Sequence, residues 1–411
     1  HDLLLARLDR MAADREVIQL AATIGREFSF ELLSAVADSG SVGQDLHQEL
    51  DKLVKAEILF QKGQRAEAGY IFKHALLQDA AYRSMLTKKR QACHQRIAEV
   101  LETQFVDIAN SQPALLAHHF TEAGVTDKAI QYWQKAGQKS QEQSANLEAI
   151  QQFERGVALA MTLPESPQRD MLELSLKLPL SAVLMGAKGY SAPEVAPLHD
   201  RCIEICRRLG EGAPLFPVLI GKWGWNFIAS RFAECDVRCA EVIAIANEKR
   251  LPGMKAEAHW ARECTSFFAG DFATAREHAE IGLAHYDRAA SVEFMKITQQ
   301  GCGPLMLAFL GQSLWKLGYP DQGLAKMTDA IAMCLDLKHP FTQTVIEWQF
   351  GQYDDFARLG KQALEQGRKT CALADELAAA FYSGLGLGCQ ADGLRRLGRF
   401  DEAIPLLERC L

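Results

Sequence analysis

Apolar residues recur at intervals of three and four along most of the chain, which is the spacing of one face of an α-helix. Near the N-terminus this spacing predicts short helices over Leu3 to Met11, Arg15 to Ile24 and Phe30 to Ala37. A fourth helix is predicted from about Val42 to Ala56. The chain therefore opens with a cluster of short helices.

Two short apolar and aromatic runs follow these helices, Ile58 to Gln61 and Tyr70 to Lys73, with a polar turn through Gly63 to Gly69 between them. Such a pair of runs predicts a β-hairpin. Helices followed by a hairpin are typical of a winged helix, and a long connecting helix is predicted from His74 to about Phe105. We therefore expect residues 1–110 to form a small winged-helix-like module.

Beyond Pro113 the pattern shows helices alone, and one mark returns along them. The mark is a Gly or Ser, then an aromatic or turn residue, then a helix with small residues on one face. It occurs at Gly124, Ser230, Gly270, Gly318 and Gly398, and more weakly at Gly360. From Ser230 onward the marks recur at intervals of about 40 residues, which is the length of a helix-turn-helix unit with its loop. The spacing predicts a mainly α-helical solenoid over residues 111–411.

A helix pair cannot bury its apolar face alone, so successive pairs stack into a superhelix with a concave face that is suited to binding. Small residues are expected to bring neighbouring helices together, for example Ala275, Ala279, Gly282, Ala325, Ala330 and Ala332. The region from Arg288 to Gly303 is predicted to be an insertion between pairs.

Charge and composition exclude several classes of function. The formal net charge of −7 provides no excess of positive charge for a nucleic-acid backbone or an anionic membrane. No apolar run approaches a membrane span, and no signal peptide opens the chain. The 11 cysteines lack the spacing of a zinc site and are expected to be buried free thiols, so a cytoplasmic location is predicted.

The two ends of the sequence are both expected to be cut. The chain starts at His1, and it stops at Leu411 inside an amphipathic pattern that begins near Phe400. The helical array is therefore predicted to be truncated at its C-terminus.

Several strings along nearly the whole chain resemble the C-terminal half of bacterial signal-transduction ATPases of the STAND (AAA-like) class, which are often fused to a class III adenylate/guanylate cyclase domain. The strings are Leu4–Arg10, Ile24–Ser29, Phe72–Tyr82, Ala117–Gly124, Lys188–Val195 and Gly318–Gln322. The resemblance selects tetratricopeptide (TPR) repeats over other helix pairs.

This resemblance implies a modular order of cyclase, nucleotide-binding domain, winged helix and TPR array, of which this chain carries the last two. It implies that ATP or ADP is bound by an upstream domain and that His74, where strand meets helix, senses the nucleotide phosphates. A capping or packing role for His74 is the alternative. The implied partners are the protein's own ATPase and cyclase domains and a protein or peptide on the concave face.

No catalytic motif is found in the chain. Gly221-Lys222 and Gly360-Lys361 lack the earlier glycine and the following Ser or Thr of a phosphate-binding P-loop. Neither HExxH nor GxSxG occurs, and His118-His119 point about 100° apart on a helix without a third metal ligand. The sequence predicts a non-catalytic, metal-free interaction region.

Tryptophans are the candidates for a partner-binding groove. Trp223, Trp225 and Phe227 cannot share one helical face, because residues two apart diverge by about 200°. One of them is expected to face a groove, with Trp260 and Trp315 as further candidates and core packing as the alternative.

A DNA-binding transcription regulator that uses the winged helix is the competing function. The helix that would enter DNA is acidic, since Asp45, Glu49, Asp51 and Glu57 oppose Lys52 and Lys55. An acidic face does not favour contact with phosphates.

Overall fold

A computed structural model of the chain describes residues 15–38, 46–63, 69–143, 145–188, 192–210, 214–298, 300–377 and 379–410. The chain divides into two compact units, residues 1–183 and 184–411. The predicted helix from Leu3 to Met11 lies outside the described residues, as do the string Leu4–Arg10, Asp45 and the middle of the turn between the two predicted strands.

The first unit contains short helices, three strands and then longer helices. Its helices are α1 (Arg15–Ile24), α2 (Phe30–Asp38), α3 (Leu46–Lys55), α4 (Ala75–Arg83), α5 (Thr87–Gln104), α6 (Val106–Ser111), α7 (Pro113–Ala123), α8 (Thr126–Glu142), α9 (Asn146–Ala160) and α10 (Pro167–Lys188), and the division between the units falls within α10. Its strands are β1 (Glu27–Ser29), β2 (Leu59–Lys62) and β3 (Gly69–Phe72).

The three strands form an antiparallel sheet in the order β1-β3-β2. The predicted hairpin is present, with Phe60 paired to Ile71. Strand β1 was not predicted; it is very short, and Phe28 in it stacks on Tyr70 with ring centroids 5.7 Å apart. The N-terminal module of helices and a hairpin therefore exists, with one more strand than the sequence pattern indicated.

One continuous hydrophobic core fills much of the first unit. It runs from Val17 on α1 through Phe72 on β3 to Ala136 on α8, and thus passes residue 110 without a break. The predicted boundary at 110/111 separates two kinds of module, the winged-helix-like module and the helical array. A continuous core does not test that boundary, so it stays a prediction.

The second unit is built from helices paired in chain order. They are α11 (Val195–Leu209), α12 (Leu215–Ile228), α13 (Phe232–Lys249), α14 (Pro252–Phe268), α15 (Phe272–Ala284), α16 (Arg288–Thr298), α17 (Cys302–Lys316), α18 (Pro320–Leu337), α19 (Pro340–Phe356), α20 (Gly360–Glu376), α21 (Ala380–Arg396) and α22 (Phe400–Cys410). The pairs are α12/α13, α14/α15, α17/α18, α19/α20 and α21/α22. We call the earlier member of each pair its first helix.

Every first helix ends in the same turn. A residue with positive φ closes it, at Ser230, Gly270, Gly318, Arg358 and Gly398. The N–H of the next residue donates to the carbonyl oxygen five positions earlier at 2.8 to 2.9 Å, which is the Schellman arrangement. The turns are evenly spaced along the chain apart from the interval between Gly270 and Gly318, which is longer because it also contains α16.

The weak mark at Gly360 is wrong by two positions. Gly360 is the first residue of α20, and the left-handed turn position is held by Arg358, with φ of 60°. A side chain in this conformation costs about 1–2 kcal/mol, so glycine is the usual occupant. Glycine is therefore the residue by which such a turn is normally recognised in a sequence. Because an arginine stands there, the sequence pattern pointed to the nearest glycine instead.

Four of the six small residues predicted to lie between neighbouring helices are buried. Ala275, Ala279 and Gly282 are buried on α15. On α18, however, Ala325 and Ala332 are exposed. Its buried face consists of residues four, three and four apart, namely Gly323, Met327, Ala330 and Cys334.

Candidate functional site

The first helices of the second unit line one cavity of about 390 Å³. Their contributions repeat with helical spacing, as in Trp223 and Phe227 on α12, and in Trp260 and Phe268 on α14. The wall is Met185, Ile220, Gly221, Trp223, Gly224, Phe227, Ile228, Ser230, Phe232, Trp260, Cys264, Phe268, Gln300, Leu305, Phe309, Val345, Trp348, Gln349, Phe381, Tyr382 and Leu385. We call it the aromatic cavity.

The deep wall of the aromatic cavity is fixed by ring contacts and a hydrogen bond. Trp223 and Trp260 meet edge to face with ring centroids 5.2 Å apart. The indole Nε1 of Trp223 donates to Oγ1 of Thr265 at 2.9 Å, and its ring stacks on Phe227 at 5.3 Å. Trp223 and Trp260 are only 4% and 5% exposed, so packing fixes the positions of their rings.

The rim of the aromatic cavity is apolar and exposed. Phe268 is 43% exposed and Phe381 is 48% exposed, although each is a large hydrophobic side chain. Phe268 packs edge to face on Phe227 at 5.1 Å and on Phe309 at 5.9 Å. Exposed aromatic side chains grouped around a cleft are typical of binding surfaces.

The residues that line the cavity include no Asp, Glu, Lys or Arg in the described part of the second unit. On the wall helix α14, Glu257 and Glu263 are fully buried. Burial raises the pKa of Glu257 to about 8 and raises the pKa of Glu263 well above its usual range. Both shifts favour the protonated, uncharged form of the carboxyl group, and neither residue lines the cavity.

Two residues of the wall carry buried N–H groups without an acceptor. Among the described residues, Nε1 of Trp260 and Nε2 of Gln349 have no hydrogen-bond partner. The Gln349 amide is held from its other side, because Nε2 of Gln312 donates to its Oε1. Unsatisfied buried donors are uncommon in folded proteins and call for an explanation.

The four predicted groove tryptophans separate into two groups. Trp223 and Trp260 line the aromatic cavity together. Trp225 lies elsewhere: its Nε1 donates to the Ala192 carbonyl at 3.1 Å, and the Arg231 guanidinium lies over its ring at 4.7 Å. Trp315 is half-buried against Phe356 and is absent from the cavity wall. Whether any of them contacts a partner stays a prediction.

His74 lies where strand β3 meets helix α4, at the position expected from sequence. It is the residue before the first turn of α4, with extended backbone, and its side chain makes no capping hydrogen bond. The side chain is exposed, and neighbouring Lys73 pairs with Glu57 at 3.3 Å. Its proposed contact with nucleotide remains a prediction.

Sequence reasoning missed most of the cavity wall, although a signal for it exists. Leu305, Val345 and Leu385 line the cavity, and each stands at the same distance in sequence before the turn residue of its own first helix. Trp260 and Trp348 likewise occupy one equivalent position on α14 and α19. Aligning the first helices on their turn residues reveals these equivalences. The alignment is correct only when Arg358, and not Gly360, is taken as the turn residue of α19.

Neither a metal-binding cluster nor a membrane-spanning helix is found among the described residues. No cluster of three or more His, Cys, Asp or Glu side chains among them is arranged to hold a metal ion. Among the same residues, no helix combines the length and apolar character that crossing a bilayer requires.

Comparison with known proteins identifies the fold. No family model matches the chain. A protein of Rhizobium meliloti (strain 1021), described as uncharacterized, is 28% identical over 370 residues, covering 87% of this chain and 35% of that protein. The chain thus spans about a third of the length of the curated relative it matches.

Three solved structures are similar, all at low sequence identity. A Rap protein complexed with competence and sporulation factor gives a TM-score of 0.53 at 13% identity, covering 79% of this chain and 91% of that one. A STAND protein with a tetratricopeptide repeat sensor from Pyrococcus horikoshii gives 0.48 at 10% identity, with coverage of 96% and 56%. The Cut9-Hcn1 assembly gives 0.30 at 12% identity, with coverage of 82% and 77%.

These likenesses concern the fold. The chain is a mainly α-helical protein with a small N-terminal module of helices and a β-hairpin, followed by a TPR-like array of helix pairs.

Proposed function

We propose that this chain is the sensing and interaction region of a larger signal-transduction protein. Its helical array holds a protein or peptide partner on the concave face formed by the first helices. Its N-terminal module, as a winged helix, relays that occupancy to a nucleotide switch in an upstream ATPase domain. The chain itself carries no catalytic step in this proposal, and a linked adenylate cyclase is the proposed output.

The observation that carries the proposal is the convergence of five first helices on one apolar, partly exposed surface. A protein folding alone does not usually leave side chains such as Phe268 and Phe381 on the rim of a cleft. A stacked array places equivalent positions of successive repeats side by side, which suits it to reading an extended partner. The Rap protein, similar in fold, has a structure in complex with competence and sporulation factor.

The relay half of the proposal rests on the surface around His74. Phe60 on β2 is 61% exposed and Leu76 in the first turn of α4 is 60% exposed. Phe60 lies on the strand paired with β3, and Leu76 stands two residues after His74. Exposed apolar side chains on these elements suit a contact with another domain. The matched region covers only 35% of the Rhizobium meliloti relative, which leaves room for such domains in that protein.

Selection from a random peptide library, with the 411-residue chain as bait, tests the partner half. Phe268→Ala and Phe381→Ala should each weaken the selected peptides about tenfold, because truncating an aromatic side chain that a partner covers costs more than about 1 kcal/mol. Binding would be measured by fluorescence anisotropy of the labelled peptide.

Leu335→Ala provides the matched control, since Leu335 is 56% exposed but lies on α18, a second helix. It should leave peptide affinity unchanged. Peptides that lose affinity with Leu335→Ala and not with the two phenylalanine variants would place the partner on another face and refute the proposal.

The relay half is tested in the full-length protein through His74→Ala. If His74 helps to hold the resting nucleotide state, the variant should raise basal nucleotide exchange without changing peptide affinity. Exchange would be followed with a fluorescent ADP analogue. An unchanged exchange rate would mean that His74 has only a structural role, at the junction between β3 and α4.

A further inference from the structure

The aromatic cavity has the size of a small-molecule site. Its volume of about 390 Å³ falls within the range of about 300–1,000 Å³ that small-molecule ligand sites occupy. Protein interiors otherwise contain few voids larger than a water molecule. A space of this size between packed helices therefore has the dimensions of a ligand rather than of a packing defect.

The wall defines the chemistry of the occupant. Indole and phenyl rings from α12, α14, α17 and α19 surround the space, and the lining residues of the described second unit include no charged side chain. A charged ligand group would lose its hydration here without gaining a counter-ion. An aromatic molecule without charge would instead contact ring faces and edges on several sides.

Cys264 is the ionisable thiol of the wall. Burial raises its pKa well above its usual value, so it adds no anion to the cavity.

We propose that the aromatic cavity binds a neutral, mainly aromatic small molecule. The inference builds on the proposed sensing function, because it names an effector chemistry for the same face of the array. The molecule lies between the first helices, where it contacts Trp223, Trp260 and Phe309 and fills space that the chain leaves empty.

Gly224 allows the cavity to be blocked without disturbing the fold. A Cβ built on this residue meets no heavy atom within 4 Å, and Gly224 lies in the cavity wall. Its backbone is helical, so a larger residue is tolerated there. Gly224→Leu therefore fills cavity volume, whereas Gly388→Leu on α21, where an added Cβ has a single neighbour at 3.9 Å, is its matched control.

The test uses the neutral fluorescent ketone Prodan and the full chain. Prodan should bind saturably with blue-shifted emission, and Gly224→Leu should weaken it about tenfold or more, whereas Gly388→Leu should not. Anionic anilinonaphthalene sulfonate should bind about tenfold more weakly than Prodan, because its charge is desolvated in the cavity.

Absence of saturable Prodan binding, unchanged binding in Gly224→Leu, or tighter binding of the sulfonate would each overturn the inference. Circular dichroism establishes folding of each variant; if Gly224→Leu fails to fold, Gly224→Ala, which adds a smaller side chain at the same place, decides the outcome. Peptide selection that succeeds without Prodan binding overturns this inference alone. Prodan binding without any selected peptide overturns the partner proposal alone.

Discussion

The two units bury their apolar residues in different ways. In the first unit a single cluster joins the sheet to helices far apart in sequence, from Val17 to Ala136. Among the described residues of the second unit, two clusters are small and local: Ala279 packs with Leu310 and Leu314, and a separate cluster joins Leu364 to Ala391, Leu394 and Ala403. The first unit thus has a shared core, whereas these parts of the second unit depend on nearest neighbours.

This difference predicts different responses to damage. A shared core links distant elements, so the loss of one large side chain destabilises the whole unit. In a stacked array each pair contacts its neighbours, and stability is close to a sum over pairs and interfaces.

The largest expected effect is in the first unit, for Phe72→Ala. Phe72 on β3 is fully buried in the shared core, so its truncation should cost about 3–5 kcal/mol and unfold the module cooperatively. Phe60→Ala on the paired strand, where the ring is 61% exposed, should change stability by about 0.5 kcal/mol or less. Urea unfolding followed by circular dichroism measures both, and similar losses for the two variants would contradict the shared core.

A smaller and local effect is expected in the array for Gly393→Ala. A Cβ at Gly393 would lie 2.5 Å from the backbone nitrogen of Leu364, so α20 and α21 must separate. Such overpacking costs about 1–3 kcal/mol. Hydrogen exchange should accelerate in α20, α21 and α22 while amides of the first unit keep their rates.

Gly388→Ala on the same helix is the control for this change, because its added Cβ meets only Cys410 Sγ, at 3.9 Å. It should stabilise α21 slightly, by up to about 1 kcal/mol, since alanine is the better helix former. Faster exchange throughout the chain in Gly393→Ala would show that the array behaves as one cooperative body instead.

The comparison also explains what could be predicted from the sequence. The hairpin strands and the solenoid follow from local patterns, namely two short apolar and aromatic runs separated by a polar turn, and glycine marks that recur at a regular spacing. Strand β1 is very short and depends on pairing with β3, a contact distant in sequence that no local pattern reveals. One turn could not be recognised from the sequence, because its left-handed position is occupied by Arg358 and not by glycine.

Prediction of the aromatic cavity from the sequence was limited in the same way. The sequence indicated that tryptophans on α12 and α14 were candidates, and Trp223 and Trp260 do meet. It could not separate them from Trp225 and Trp315, because helical position alone does not say which face of a helix meets which neighbour. That choice is made by stacking, as Trp225 shows through its bond to the Ala192 carbonyl.

Each unit also contains a pair of histidines joined through their Nδ1 atoms. His94 and His119 are 2.9 Å apart in the first unit, where Tyr82 OH lies 2.9 Å from His94 Nε2. His259 and His278 are 2.8 Å apart in the second. One ring of each pair must donate and the other accept, so both rings cannot be protonated while the bond remains.

Acidification should therefore weaken the first unit through His119. Burial, with His94 and His118 nearby, lowers the pKa of His119 to about 3 from an ordinary 6.5. The unfolded chain takes up the proton first, so this contribution is present above pH 6.5 and is lost as the pH falls below it. Between pH 7 and pH 6 the loss is about 0.7 kcal/mol for this residue. His119→Gln keeps a hydrogen-bonding side chain but removes the titration, so its urea midpoint should depend less steeply on pH; an unchanged slope would place the proton uptake elsewhere.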